Sequence, residues 1–152
     1  MTSLLFDANA LIYWVHPDSA HHDEISCLMD EVLLNQGSLY ALSSSLNEVY
    51  YVLHRHYMEE TEARESIRDI AETFDLVDLT GLFVFESIDS DEPDYEDGLI
   101  RVAAEELQAD AIISYDKTAF KSSFVPKMTA VEACGKFFQK SEEPESKTLA
   151  TR

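Results

Sequence analysis

The segment Ser3-Leu4-Leu5-Phe6-Asp7 decides the fold class of this chain, because a short apolar run ends there in a carboxylate. Such a run predicts a buried strand with Asp7 at its carboxyl end. The apolar residues 10–15 that follow predict a helix, which ends before Pro17. A buried strand that leads directly into a helix is typical of α/β proteins.

Helices and strands alternate downstream of this unit. Apolar residues recur at helical spacing over residues 19–34, 46–57, 61–74 and 95–108. Short apolar runs predict strands over 39–42, 82–85 and 109–115, and a last strand or helix over 128–138. The alternation predicts an α/β fold in which helices cover both faces of a parallel sheet, a three-layer α/β/α sandwich.

The length of the chain fits a single domain. Its 152 residues are enough to bury a core, and we place the domain at residues 1–140. Residues 141–152 are polar, and we expect them to form a flexible C-terminal tail.

The cysteines and the apolar pattern bear on the compartment. Cys27 and Cys134 belong to no CxxC pair, which predicts reduced thiols packed in the core. The sequence shows neither a signal-peptide pattern nor an 18-residue apolar run. We therefore expect a cytoplasmic protein that has no contact with a membrane.

The charge of the chain is strongly negative and unevenly placed. The formal charge is −19, from 30 acidic and 11 basic residues. All of the imbalance lies in residues 1–100, and residues 86–97 carry seven carboxylates without a base. The charge argues against a protein that holds nucleic acid by broad neutralisation of phosphates. The simplest interpretation of the acidic run is a solvated, self-repelling loop.

Four carboxylates from distant parts of the sequence are expected at one edge of the sheet. Asp7 and Asp116 follow strands, whereas Glu48 and Asp97 lie in the first turns of helices that begin at that edge. Ligands of parallel sheets bind at the carboxyl ends of the strands. Clustered carboxylates repel one another unless a cation neutralises them, and Mg²⁺ or Mn²⁺ suits all-oxygen ligands. Such a site suits phosphodiester hydrolysis, although acids are also common at helix starts for structural reasons.

Four segments of the sequence resemble the motifs of the PIN domain family, in order and in spacing. They are Phe6-Asp7-Ala8-Asn9-Ala10-Leu11-Ile12, Ser45-Leu46-Asn47-Glu48-Val49, Asp94-Tyr95-Glu96-Asp97-Gly98 and Ile112-Ile113-Ser114-Tyr115-Asp116. The resemblance spans about residues 2–138 of the chain. Many single-domain prokaryotic members of this family are the toxins of VapBC-type toxin–antitoxin pairs, and they are Mg²⁺- or Mn²⁺-dependent endoribonucleases.

The resemblance implies a PIN-like sandwich and a metal-dependent ribonuclease that hydrolyses RNA phosphodiester bonds. It makes Asp7, Glu48, Asp97 and Asp116 the catalytic acids. Asp7, Asp97 and Asp116 would ligate Mg²⁺ or Mn²⁺, and Glu48 would hold a metal-bound water or act as its base. The implied partners are an RNA substrate and a cognate antitoxin protein.

We expect an aromatic set to pack in the core: Tyr13, Trp14, Tyr50 and Tyr51. An exposed subset of these residues could form a surface for the antitoxin or for a second copy of the chain.

Further residues follow from the same motifs. Asn9 and Ser114 would orient the ligands, together with Asp94, which lies one helical turn before Asp97. Gly98 stands where alanine is commoner in the family, and we expect this glycine only to loosen its turn of helix.

Few bases accompany these acids. Lys117 and Lys121 are the expected contacts for RNA phosphates, with Lys127 and Arg101 as further candidates. A chain of charge −19 must concentrate such bases beside the cation or bind RNA weakly.

Two alternatives remain open at this point. A catalytically silent PIN-like module could use its acidic face to bind a basic protein. The segment Asp7-Ala8-Asn9 also resembles the start of haloacid-dehalogenase-type phosphatases, but Asn9 lacks the proton that their second aspartate donates.

Overall fold

Five parallel strands form one sheet in a computed structural model, which describes residues 1–139. The strands are β1 (Ser3–Phe6), β2 (Ser38–Leu42), β3 (Asp75–Val77), β4 (Ala111–Ile113) and β5 (Lys127–Met128). Their order in the sheet is β3-β2-β1-β4-β5. The domain boundary at residue 140 stays a prediction, and the tail expected over 141–152 lies outside the described residues.

Seven helices are found in this part of the chain. They are α1 (Ala8–Val15), α2 (His22–Leu34), α3 (Ser45–His56), α4 (Glu60–Thr73), α5 (Gly81–Ile88), α6 (Tyr95–Leu107) and α7 (Ala130–Phe138). The last predicted segment, 128–138, is thus a very short strand followed by a helix. Within residues 1–139 no helix has the length and the apolar character needed to cross a bilayer.

The two faces of β1 define the two helical layers. Leu4 and Phe6 point into the core formed with α1, α2, α3, α4 and α7. Leu5, between them, points into a second core formed with α5 and α6. All three side chains are fully buried, as expected of a central parallel strand. The prediction of a three-layer α/β/α sandwich is confirmed.

The prediction of a strand over residues 82–85 is wrong, because these residues belong to α5. Thr80 caps this helix by accepting a hydrogen bond from the Phe83 N–H at 3.3 Å. Phe83 is buried towards α6, while Phe85 on the other side of the helix is 70% exposed. The true third strand is β3, a short edge strand that pairs with β2.

The helix expected over residues 19–34 also begins later than predicted, at His22. The core-packing prediction for the cysteines holds only in part, since Cys27 on α2 is exposed and Cys134 on α7 is partly buried.

Gly98 has a stronger reason to be glycine than its sequence context indicated. A Cβ atom at this position would overlap the Ser87 hydroxyl and lie 2.9 Å from Ser90 Oγ. Gly98 therefore lets α6 approach α5 closely, and the expectation that it only loosens its own helical turn is wrong.

The strand order creates a crevice between β1 and β4. The chain leaves β1 towards β2 and β3 on one side, and later returns to add β4 and β5 on the other side. The Asp7 N–H still donates a hydrogen bond to the Ile113 carbonyl at 3.1 Å, just before the segments that follow β1 and β4 separate. Such a switch point, at the carboxyl ends of the strands, is where open α/β sheets bind ligands.

Candidate active site

A cleft of about 660 Å³ lies at this edge of the sheet. All four predicted carboxylates line it: Asp7, Glu48, Asp97 and Asp116. They come from the ends of β1 and β4 and from the first turns of α3 and α6. Asn9 and Asp94 line the cleft as well, whereas Ser114 lies beneath it, 1% exposed.

Asp7 is the most deeply buried acid of the cleft, at 6% exposure. Its Oδ1 accepts the Ala10 N–H at 2.9 Å and so caps α1. Burial raises the pKa of Asp7 to about 6, although hydrogen bonds from Ser114 and Ala10 oppose this shift. The charge of Asp116 raises this pKa further, and that of Lys127 lowers it.

The pKa of Asp116 is shifted in the opposite direction. Its Oδ1 accepts hydrogen bonds from the N–H groups of Thr118 at 2.8 Å and Ala119 at 3.0 Å. These backbone hydrogen bonds keep the pKa of Asp116 below its usual value. The Asp116 N–H donates to Ser114 Oγ at 3.1 Å, so Ser114 connects Asp116 with Asp7.

Asp97 has a higher pKa than Asp7. Asp94 caps α6 by accepting the N–H groups of Glu96 at 2.9 Å and Asp97 at 3.2 Å. Burial raises the pKa of Asp97 to about 7, followed by the negative charges of Asp94, Asp116 and Asp7. Asp94 therefore supports α6 structurally and also destabilises the charge on its neighbour.

Glu48 brings in a residue that the sequence analysis did not select. Burial raises the pKa of Glu48, and the next largest cause is the negative charge of Glu96. Glu96 lines the cleft beside Asp97. The motif that contains Asp94 and Asp97 includes Glu96, but only the approach of α3 to α6 shows that it faces Glu48.

The donor set of the cleft fits a hard divalent cation in its chemistry. It offers carboxylate oxygens, and three carboxyl groups with raised pKa values would gain from a neutralising charge. Within residues 1–139, however, no group of three His, Cys, Asp or Glu side chains is arranged to hold a metal ion as it stands. The carboxylates share one cleft, and side-chain rotations are needed to bring them onto one ion.

Lys127 is the base that acts most directly on the acids. Its Nζ donates a hydrogen bond to the carbonyl oxygen of Asp116, and its charge lowers the pKa values of Asp7 and Asp116. Lys117 and Lys121 are exposed on the segment after Asp116. The lining of the cleft, as far as residues 1–139 describe it, contains neither lysine nor arginine.

Arg101 is not available for phosphate contacts, which corrects the expectation from sequence. Its guanidinium forms ion pairs with Asp91, Glu92 and Glu105. It also donates to the Ser122 carbonyl at 2.9 Å. Arg101 therefore ties α6 to the acidic loop and to the segment after β4.

The comparisons with known proteins agree with this fold. The sequence profile of the PIN domain matches residues 3–118. No curated protein sequence is significantly similar to the chain. Solved structures share its fold at low sequence identity, among them the following three.

VapC20 from Mycobacterium tuberculosis, a sarcin-ricin loop cleaving toxin, is 11% identical with a TM-score of 0.61, over 75% of this chain and 90% of its own. VapBC2 from Rickettsia felis, solved with a promoter DNA fragment, is 12% identical with a TM-score of 0.65, over 84% and 98%. FitAB bound to the IR36 DNA fragment is 13% identical with a TM-score of 0.66, over 84% and 94%. At these identities the likeness concerns the fold, and the profile match covers well over half of the sequence. The chain therefore belongs to the PIN domain family.

Proposed function

We propose that the protein is a divalent-metal-dependent endoribonuclease that acts as the toxin of a toxin–antitoxin pair. One observation carries the proposal: four carboxylates from distant sequence positions line one cleft, where the charges of Asp7 and Asp116 raise the pKa of Asp97. Membership of the PIN domain family supports nuclease chemistry, and the fold shared with VapC20, VapBC2 and FitAB supports the toxin assignment.

Asp7, Asp97 and Asp116 are the residues that would hold Mg²⁺ or Mn²⁺. When bound, such an ion would neutralise the carboxylates, polarise a phosphodiester group and make a water molecule more acidic. Asp116 is ready to bind, because Oδ1 is fixed by Thr118 and Ala119 while the carboxylate keeps a low pKa. At Asp7 and Asp97 the cation competes with protons below about neutral pH, since their pKa values are raised to about 6 and about 7.

Glu48 is the residue that we assign to proton transfer. Its carboxylate would accept a proton from the water that attacks the RNA phosphorus atom, with attack in line with the leaving oxygen. Burial, and after it the neighbouring charge of Glu96, raises the pKa of Glu48, which makes this carboxylate a stronger base than an isolated one. Asn9 in the lining of the cleft and Ser114 beneath it would orient the residues that hold the metal ion.

The substrate has to approach a strongly negative surface. Because the described lining of the cleft holds no base, RNA binding depends on the cation and on lysines outside the cleft. We assign this role to Lys117 and Lys121, which are exposed on the segment after Asp116. Binding is expected to be weak and sensitive to salt.

Protein partners are part of the proposal. VapBC2 and FitAB were each solved with DNA, and we propose a cognate antitoxin for this chain as well. We also propose that the chain forms a homodimer. Tyr51 is 57% exposed at the rim of the cleft and is the exposed member of the aromatic set expected at such surfaces. A small DNA-binding protein encoded next to this chain would identify the antitoxin.

A silent protein-binding module is the second candidate function. The absence of lysine and arginine from the described lining favours it, because a cleft of acids attracts a basic protein as well as a cation. The family match gives no support to the phosphatase alternative.

A nuclease assay with matched variants tests the proposal. Purified protein is incubated with structured and with single-stranded RNA in Mn²⁺, beside Asp7→Asn, Asp97→Asn and the control Asp30→Asn, an exposed aspartate on α2. We expect cleavage by the wild type and by the control, and a loss of at least about 100-fold in the two cleft variants. Equal cleavage by all four proteins would point to a contaminating nuclease and would reject the proposal.

Thermal unfolding separates the two candidate functions. Mn²⁺ that binds only the folded state must raise the melting temperature, and the Asp97→Asn variant should lose this effect. An unchanged melting temperature in the wild type would favour the silent module.

A further inference from the structure

Tyr115 lies between two residues of the site, Ser114 and Asp116, but its own side chain is not part of the cleft. The ring packs instead against residues of α1, of α2 and of the connection between them. The proposed chemistry gives this tyrosine no role. Its hydroxyl nevertheless makes two hydrogen bonds, and its ring contacts two other aromatic rings.

The Tyr115 hydroxyl makes two hydrogen bonds to separate helices. It donates to Glu24 Oε1 on α2 and accepts the Ala130 N–H, at the start of α7, at 3.3 Å. Burial and the bond to Glu24 raise the pKa of Tyr115 well above its usual value, so the hydroxyl remains a donor at neutral pH. The phenol thus connects the end of β4 to two helices of one layer.

Aromatic rings hold the same side chain from two further directions. The His21 ring stacks on the Tyr115 ring with centroids 3.9 Å apart and an interplanar angle of 21°. The Tyr13 ring meets it edge-on at 5.5 Å. His21 Nδ1 also lies 2.7 Å from Glu24 Oε1, which fixes the carboxylate that receives the tyrosine hydroxyl.

The backbone on either side of Tyr115 carries the residues that face the cleft. Ser114 Oγ connects Asp7 with the N–H of Asp116, and Asp116 orients its carboxylate through the next turn of chain. A shift of this strand end would displace Asp116 relative to Asp7, and both are proposed to hold the metal ion. We propose that Tyr115, anchored by Glu24 and His21, is a positioning residue that fixes Asp116 and Ser114 for cation binding. This inference rests on the proposed function.

The test compares the anchor with a chemically matched pair elsewhere. Tyr50 hydrogen-bonds to Glu60 and stacks near His54 in a hollow between α3 and α4, outside the active cleft. The variants are Tyr115→Phe, Glu24→Ala, Glu24→Gln and the control Tyr50→Phe. Mn²⁺ dissociation constants are measured by calorimetry, and amide hydrogen exchange at Asp116, Thr118 and Ala119 is measured by NMR without metal.

We expect Tyr115→Phe and Glu24→Ala to weaken Mn²⁺ binding about 10-fold and to speed the exchange of the three amides about 5-fold. Glu24→Gln should regain much of both, because its amide oxygen still accepts the hydroxyl. The double variant Tyr115→Phe/Glu24→Ala should be no worse than either single one. Tyr50→Phe should leave both readouts within about 2-fold of wild type.

Unchanged exchange in Tyr115→Phe would overturn the inference, as would normal Mn²⁺ affinity with only a lowered melting temperature. If the wild type itself binds no Mn²⁺, the metal site of the proposed function is wrong. The exchange rates then still test Tyr115: faster exchange in Tyr115→Phe shows that the tyrosine holds Asp116, and unchanged exchange shows that it does not.

Discussion

Asp7 and Asp97 face one cleft from two different elements, and burial raises the pKa values of both, to about 6 and about 7. The charge of Asp7 further raises the pKa of Asp97 and that of Glu48, which lines the same cleft. Without a cation the folded protein therefore stabilises these groups in their protonated form. This relationship makes the stability of the metal-free protein depend on pH.

We predict that metal-free wild-type protein loses stability as the pH rises from about 4 to about 7. In the unfolded chain both groups return to a pKa near 3.8, so over this range the folded state binds more protons. For Asp7 the full effect is on the order of 2–3 kcal/mol. Urea unfolding at a series of pH values measures it. Mn²⁺ should reverse the trend, because it binds the deprotonated carboxylates.

The Asp7→Asn variant isolates this contribution. Asn keeps an oxygen that can accept the Ala10 N–H and cap α1, but it does not titrate. At neutral pH the variant should therefore have a higher free energy of unfolding than the wild type. This difference should become smaller as the pH falls. Asp30→Asn, at an exposed site of α2, should run parallel to wild type. If the free energy of unfolding of Asp7→Asn changed with pH in the same way as that of the wild type, the raised pKa of Asp7 would be contradicted.

Asp116 offers a way to separate metal binding from folding. Asp116→Asn keeps an acceptor for the N–H groups of Thr118 and Ala119, so its stability should stay within about 1 kcal/mol of wild type. Asp116→Ala loses these hydrogen bonds and should cost about 1–2 kcal/mol. Both variants should lose Mn²⁺ binding in calorimetry. Retained binding by Asp116→Asn would exclude Asp116 as a ligand.

The positions of the site residues could be predicted from local patterns, whereas part of the fold could not. Asp7 and Asp116 each follow a buried apolar run, so the parallel-sheet rule alone brings them to one edge. Residues 82–85 are also apolar and aromatic, and strand and helix look alike over such a short run. Their helical state depends on packing against α6, a contact between segments that local patterns do not contain.

Gly98 explains why that contact is so close, and it gives a test. We predict that Gly98→Ala destabilises the protein by about 1–3 kcal/mol, although alanine favours a helix, because its Cβ would overlap the Ser87 hydroxyl. Gly135→Ala in α7, where nothing lies within 4 Å, should instead stabilise by up to about 1 kcal/mol. Chemical denaturation measures both. Equal effects of the two substitutions would show that helix propensity alone decides.

Lys127 should shift the acid limb of the nuclease pH profile through its effect on Asp7. Its charge lowers the pKa values of Asp7 and Asp116, so Lys127→Met should raise both and move the acid limb of activity to higher pH. The rate at each pH with saturating Mn²⁺ is the measurement. Lys136→Met, at an exposed site of α7, is the control and should leave the profile in place. A loss of activity that is the same at every pH would assign Lys127 to substrate binding instead.

Arg101 should act on stability and not on RNA. Its ion-pair partner Glu92 has a side chain that is only 3% exposed and whose Oε2 accepts the Phe120 N–H at 3.1 Å. Arg101→Met would leave this carboxylate without its cation, and we expect a loss of about 2–4 kcal/mol in urea unfolding. Adding Glu92→Gln should restore much of it, because the neutral amide can still accept from Phe120.

The control for Arg101 is Arg64→Met, which breaks an exposed ion pair with Glu60 and should leave the unfolding midpoint unchanged within error. If Arg101 bound RNA phosphates, Arg101→Met would raise KM for RNA at unchanged stability. We expect the reverse, because three carboxylates already surround its guanidinium. An Arg101→Met variant as stable as Arg64→Met would remove the structural role and return Arg101 to the candidates for RNA contact.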